Sequence, residues 1–309
     1  MKFSIIIPTF NSGKYIKACL DSVFALDYPN NKFEVIVVDG GSKDETLNIL
    51  KNYPVNVVNS KNISISNSRN LGAKSAKGEN LVFIDSDCLI NKKLLKKSET
   101  HLKNYACCGS FYKPAKEHGW VSRAWLFVEN KKWGLVDWVP AGTLVLQKDV
   151  FEDIKGFNES LTTQEDFDFC LRLKERGYVI YNDKTVSSIH LGQTDNLKDF
   201  FKKEIWRGDS LIKSIKAHGI LKEEIISTSL IFYYFFAFCI LILSLFLFNL
   251  NLIVISLVLI ILPPFFLASR KVAQTKKISY FFKFYILILL YQIARTVSLV
   301  RHNQFKDLF

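Results

Sequence analysis

Between Ile225 and Ser269 the chain contains no charged residue. A helix needs roughly 20 apolar residues to cross a bilayer, so this stretch has room for two crossings. Residues 1–224 read differently, mixing charges of both signs with turn residues as a soluble domain does. The chain is therefore expected to divide into a soluble part, 1–224, and a membrane region, 225–309. The predicted spans are 229–248 and 252–269. Asn249-Leu250-Asn251 would make the turn between them, and Pro263-Pro264 would kink the second span.

The formal net charge is +12, which suits either nucleic acid or anionic lipid. The lysines of the soluble part are scattered and form no compact basic and aromatic cluster, so nucleic acid is not an expected partner. Arg270, Lys271, Lys276 and Lys277 follow the uncharged stretch with no acid among them. That is positive-inside flanking, and it places the soluble part in the cytosol, against membrane lipids. A third apolar segment, 280–300, carries Gln292, Arg295, Ser298 and His302 on one helical stripe. It could lie along the interface or span.

The chain has six cysteines and no C-x-x-C pair. Cys107 and Cys108 are adjacent, which disfavours a bridge between them. Cys19, Cys88, Cys170 and Cys239 sit among apolar residues and read as small buried hydrophobes, reduced in a cytosolic domain. The apolar run Ile5–Ile7 is stopped by Pro8 and Asn11, unlike a signal peptide.

Phe3–Ile7, Phe33–Val38, Val55–Val58 and Leu81–Ile84 read as strands. Lys14–Phe24, Glu45–Asn52 (with Asp44 as N-cap) and Ser66–Ala76 read as the helices between them. This β-α-β-α-β-α-β order predicts an α/β fold with a doubly wound, mostly parallel, Rossmann-like sheet. Ligands collect at the carboxyl ends of such strands, where Thr9, Asp39, Asp85 and Asp87 fall. Residues 1–100 would be one half of the soluble part and 101–224 the other. In the second half, Trp138–Gln147, Tyr178–Tyr181 and Val186–His190 read as strands. Lys148–Ile154 and Gln164–Arg176 read as helices, the latter closed by Gly177.

Six short motifs occur in order: Pro8-Thr9-Phe10-Asn11, Val38-Asp39-Gly40-Gly41-Ser42-Lys43-Asp44, Ser68-Arg69-Asn70-Leu71-Gly72, Asp85-Ser86-Asp87, Gln164-Glu165-Asp166, and His190. Over residues 3–210 this set resembles the family 2 glycosyltransferases. The resemblance implies the GT-A fold and transfer from a nucleotide-sugar donor to a lipid-linked or cell-envelope glycan, with Mg²⁺ or Mn²⁺. Asp85 and Asp87 form the D-x-D element, whose carboxylates suit a hard cation bridging phosphate oxygens. The resemblance gives Asp87, and His190 beside it, to the metal, and Asp85 to the ribose or sugar. It gives Asp39 to the nucleobase, with Pro8 and Thr9 lining the same pocket. Arg69 would offer a planar fork to base or phosphate.

Asp166 shares a helical face with Cys170 and Leu173, so it should point inward and serve as general base. One such base implies inversion. Glu165 and Trp138 would stand on the acceptor side, although Glu165 also suits a helix N-terminus and Trp138 also suits core packing. Trp120, Trp125 and Trp133 carry the same two readings. Asp168 and Arg172 can pair on another face. Arg207 falls where processive members carry Q-x-x-R-W, a motif absent here, and it could still reach the diphosphate. A polyprenyl-phosphate sugar synthase, whose acceptor needs little base catalysis, and a silent sugar-nucleotide-binding scaffold are the competing readings.

Overall fold

The computed structural model describes residues 1–60, 64–113, 115–128, 132–209, 211, 215 and 225–301. The expected boundary at 224–225 adjoins residues outside that set. The chain gathers into two compact units, one of residues 1–116 and 131–193, the other of 117–130 and 194–309.

In the first unit, β1 (Phe3–Thr9), α1 (Ile16–Phe24), β2 (Phe33–Asp39), α2 (Thr46–Leu50), β3 (Asn56–Asn59), α3 (Ile65–Ser75) and β4 (Asn80–Ile84) follow the expected alternation. Next come β5 (Cys88–Leu89), α4 (Leu94–His101) and β6 (Cys107–Gly109). After α5 (Trp120–Val128), a part of the second unit, come β7 (Gly134–Val136), β8 (Thr143–Gln147), α6 (Lys148–Asp153), α7 (Glu165–Glu175), β9 (Ile180–Asn182) and β10 (Ile189–His190).

The main sheet has the order β3-β2-β1-β4-β8-β6-β9-β7, and β10 pairs with β5 in a separate ladder. The first four strands are mutually parallel. β8 enters antiparallel to both β4 and β6, so the second half is mixed. Ile5, Ile7, Val35, Val37 and Val82 feed one core, while Ile6, Ile36, Val38, Leu81 and Phe83 feed the other. A sheet buried on both faces needs runs of apolar residues without alternation, as β1, β2 and β4 have.

Three expected strands are shorter. Trp138 to Gly142 is a loop through Pro140, and only Thr143–Gln147 pairs. Proline has no ladder donor, which delays the strand. Lys184–Val186 is a 3₁₀ turn, leaving Ile189–His190 as strand. Tyr178 and Val179 precede β9. Helix α7 ends as expected: Gly177 has φ 82°, and Tyr178 N–H donates to the Leu173 carbonyl at 3.0 Å.

The second unit contains α5, α8 (Leu197–Arg207) and three long helices, α9 (Ile225–Phe246), α10 (Leu250–Thr275) and α11 (Phe281–Arg301). Thr228–Phe246, Leu250–Thr275 and Ile278–Arg301 are long and apolar enough to cross a membrane. The turn between the first two comes slightly early, with Phe248 at φ 50° and Asn249 capping Leu252 N–H, so Asn251 is already helical. α10 runs on through Pro263 and Pro264. Their missing N–H groups orphan the carbonyls of Leu259 and Ile260, four residues earlier. The hydroxyls of Tyr233 and Tyr234 donate to those two carbonyls at 2.9 and 2.8 Å. Cys239, expected to be buried, is exposed on α9.

The polar stripe of α11 is packed inside this unit. Gln292 and Ser298 are buried, and Arg295 Nη2 lies 3.2 Å from Glu204 Oε2 of α8. His302 lies outside the described residues.

Candidate active site

The parallel half of the sheet delivers the expected polar residues to one end. Thr9 closes β1 and is in register with Asp39, the last residue of β2. Pro8, in register with Val38, is buried in β1. Asp39 is itself buried, and its carboxylate accepts from Gly41 and Ser42 N–H, both at 2.9 Å, and from Ser42 Oγ at 2.5 Å. Gly41 has φ 89°, which favours glycine at that turn. Thr9 Oγ1 is buried, and among the described residues nothing hydrogen-bonds it. It is a polar group adjacent to Asp39 that a ligand could satisfy.

The segment Asp85-Ser86-Asp87 leaves β4 and is fixed from several directions. Ser86 Oγ and Ser12 Oγ are 2.8 Å apart, and Cys88 N–H donates to the Asp85 carbonyl at 2.9 Å. The β5–β10 ladder sets His190 opposite Cys88, and Leu191 N–H donates to the Asp87 carbonyl at 2.8 Å. His190 Nδ1 then lies 3.6 Å from Asp87 Oδ2. Asp85, Asp87, Cys88 and His190 each place a ligand-type atom within 4.8 Å of the others.

This donor set fits a hard divalent cation. Carboxylate oxygens are the donors that Mg²⁺ and Mn²⁺ take, and an imidazole can complete them. Burial, with Asp85 and Asp87 nearby, holds the Cys88 thiol well above its ordinary range.

Arg69, in α3, spends its fork inside the protein. Nη2 lies 2.7 Å from Asp85 Oδ1, and Nη1 lies 2.7 Å from Glu165 Oε1 at the start of α7. The Arg69 side chain is only 2% exposed, while its partners Asp85 and Glu165 keep some exposure. Sequence reasoning aimed the guanidinium at a base or phosphate, whereas here it ties the D-x-D element to the Glu165-Asp166 pair. Glu165 is correspondingly occupied by Arg69.

Asp166 is partly exposed, while Glu165, Asp168, Phe169, Cys170 and Leu173 are the buried residues of α7. The inward face expected for Asp166 is thus only partly closed, which leaves its carboxylate approachable. Desolvation, with the Glu165 charge next in size, pushes its pKa up to about 7, opposed by Arg69. A carboxylate tuned near neutrality suits proton abstraction. Asp168 pairs with Arg172 Nη2 at 2.8 Å, as the spacing predicts.

Trp138 packs edge-on against Phe111 and Phe167, with centroids 5.1 and 6.3 Å away. Trp125 packs on Phe200 and Tyr291 within the second unit. Trp133 is 39% exposed, with Lys184 Nζ 5.8 Å from its ring centroid, and Trp120 is also exposed. Arg207 belongs to the second unit, where Nη1 lies 2.7 Å from Glu204 Oε1.

Three site residues escaped sequence reasoning. Tyr112 donates to Asp85 Oδ2 at 3.3 Å and packs edge-on against His190, 4.9 Å between centroids. A Cβ on Gly142 would stand 2.4 Å from Asp85 Oδ2, and one on Gly192 would stand 2.0 Å from Asp87 Oδ2. Only glycine leaves room for the carboxylates at those positions. Gly192 follows His190 closely enough to have been suspected, but nothing local marks Tyr112 or Gly142. An open groove of about 830 Å³ around Phe24, Tyr28 and Lys96 shares no lining residue with this site.

The sequence profile of Glycosyl transferase family 2 matches residues 4–157, a span that holds the D-x-D element and most of the main sheet but not β9. The chain belongs to that family. It is 42% identical over 102 residues to the poly(ribitol-phosphate) β-N-acetylglucosaminyltransferase TarS of Staphylococcus aureus, covering 31% of this chain and 18% of TarS. The chain thus spans under a fifth of that relative. It is 24% identical over 238 residues to a dolichyl N-acetyl-α-D-glucosaminyl phosphate 3-β-D-2,3-diacetamido-2,3-dideoxy-β-D-glucuronosyltransferase of Methanococcus voltae, covering 66% of this chain and 71% of the relative. In fold it is similar to a mannosyltransferase of Pyrobaculum calidifontis, with TM-score 0.64 and 17% identity over 98% of this chain and 87% of that one. The chain thus carries a Glycosyl transferase family 2 domain with a GT-A-like fold and, among the described residues, three C-terminal apolar helices that fit membrane anchoring.

Proposed function

We propose that this glycosyltransferase moves a sugar, with inversion, from a nucleotide sugar to a hydroxyl of a lipid-linked or cell-envelope glycan. The carrying observation is the Arg69 bridge, which ties Asp85 to Glu165, the residue that precedes the partly exposed Asp166. UDP-sugars are the first donors to test, ahead of GDP-sugars. The relatives support the acceptor class, since one is named for poly(ribitol-phosphate) and another for a dolichyl-phosphate-linked sugar.

Thr9 and Asp39 line the nucleobase pocket, with Pro8 shaping its wall. Asp85, held by Arg69 and Tyr112, faces the ribose or sugar. Asp87 and His190 would hold Mg²⁺ or Mn²⁺, which would supply positive charge to offset that developing on the diphosphate. Asp166 takes the proton from the acceptor hydroxyl as that oxygen bonds to the anomeric carbon, and the bond from that carbon to the diphosphate breaks with its electron pair. A single base on the acceptor side gives inverted configuration. The approachable Asp166 favours a hydroxyl acceptor over a phosphate acceptor, which would need little base.

The test is a donor screen with the purified full chain, Mg²⁺ or Mn²⁺, and mass detection of released nucleotide. Transfer should fail in EDTA and in Asp87→Ala, and product NMR should show inverted configuration. Metal-independent transfer that survives Asp87→Ala would remove the metal assignment, and retained configuration would remove the single displacement.

A further inference from the structure

Residues 225–301 carry Arg270, Lys271, Lys276, Lys277, Lys283, Arg295 and Arg301, and no Asp or Glu. Two of these lysines border one tyrosine. Lys277 Nζ lies 4.6 Å from the Phe127 ring centroid and 5.5 Å from that of Tyr280. Lys283 Nζ lies 4.7 Å from the Tyr280 centroid. Phe127 meets Tyr280 edge-on at 5.8 Å, so both rings are fixed by packing. All four residues belong to the second unit.

Cation–π contact orients an ammonium group without neutralising its charge. Among the described residues neither lysine has a carboxylate partner, whereas Arg295 of the same helix is paired with Glu204. Lys277 lies in the link between α10 and α11, and Lys283 lies in the first turn of α11. Both helices are long enough to cross a bilayer, which sets their link at headgroup depth, where tyrosine and lysine concentrate. Two like charges held at one ring, at that depth, call for an anion.

We infer that Lys277, Tyr280 and Lys283 seat the phosphate of an anionic phospholipid, each ammonium donating to phosphate oxygens. This site does not depend on the proposed transfer reaction.

The experiment is native mass spectrometry of the detergent-solubilised full chain with phosphatidylglycerol and phosphatidylcholine in equal amounts. The wild type should retain phosphatidylglycerol preferentially. The Lys277→Gln, Lys283→Gln double variant should lose at least about fivefold of that preference. Lys277→Arg with Lys283→Arg should keep it, and Lys276→Gln, at an exposed position off the ring, should change it little. Circular dichroism checks that each variant is folded. Undiminished preference in the double glutamine variant, or an equal loss in Lys276→Gln, would overturn the site. Displacement of the lipid by millimolar inorganic phosphate would assign it to free phosphate instead.

Discussion

Arg69 Nη1 and Glu165 Oε1 meet at 2.7 Å although 96 residues separate them in the chain. The same guanidinium reaches Asp85 Oδ1 with its other terminal nitrogen. One buried cation therefore ties the strand end that carries the D-x-D element to the helix that carries Asp166.

Removing that cation should leave two carboxylates facing each other without compensation. Arg69→Met is expected to cost about 3–5 kcal/mol, as for other broken buried pairs, read by denaturant unfolding in detergent. Lysine presents one ammonium and cannot span both partners as the planar fork does, so Arg69→Lys should recover only part of the loss. Arg69 also lowers the Asp166 pKa. In Arg69→Lys the acid limb of activity should hold near its wild-type pH, and in Arg69→Met it should move to higher pH.

Asp166 must be ionised to accept a proton, so kcat should fall as pH drops through about 7. Asp166→Asn should lower kcat by about 10²-fold or more and abolish that limb. Stability should respond with the opposite sign. The folded protein binds this proton more tightly than the unfolded chain, so stability is lost as pH rises from the ordinary carboxylate range towards about 7. Asp166→Asn should therefore raise Tm more at pH 8 than at pH 5. Equal Tm changes at both pH values would show that ionisation of Asp166 costs the fold nothing.

The Tyr233 and Tyr234 hydroxyls replace the hydrogen bonds that Pro263 and Pro264 cannot make. Tyr234→Phe should cost about 1–3 kcal/mol, the penalty for a buried carbonyl left unsatisfied. Pro264→Ala returns an N–H to the Ile260 carbonyl. In that background Tyr234→Phe should cost markedly less. An unchanged cost in the double-mutant cycle would show that the two groups act independently.

The uncharged hairpin and the basic run after it predict sidedness. After replacement of the native cysteines, a cysteine at Asn251 should react with a membrane-impermeant reagent in intact cells, and one at Thr275 should not. The reverse pattern would place the catalytic part, and its donor supply, on the other side.

The first half of the fold was legible because its determinants are local. Buried strands such as Ile5–Ile7 and Val35–Val38 advertise themselves as apolar runs, and the acids that follow them fall at one sheet end by topology alone. The apolar helices were legible for the same reason, since length and lack of charge decide them.

What only the tertiary structure decided are relationships between distant segments. The sequence marked Arg69 as a donor ligand, but its partners lie 16 and 96 residues away, a distance that no local pattern spans. Gly142 and Gly192 became site residues because close packing leaves no room for a larger group beside Asp85 and Asp87, and Tyr112 because its hydroxyl donates to Asp85. The polar stripe of α11 suggested an interfacial helix because sequence shows polarity without its partner. Its partner is Glu204, a buried carboxylate that lies 3.2 Å from Arg295 Nη2 inside the second unit. Polarity is written in the sequence, but whether water, lipid or another side chain answers it is settled only when the chain packs.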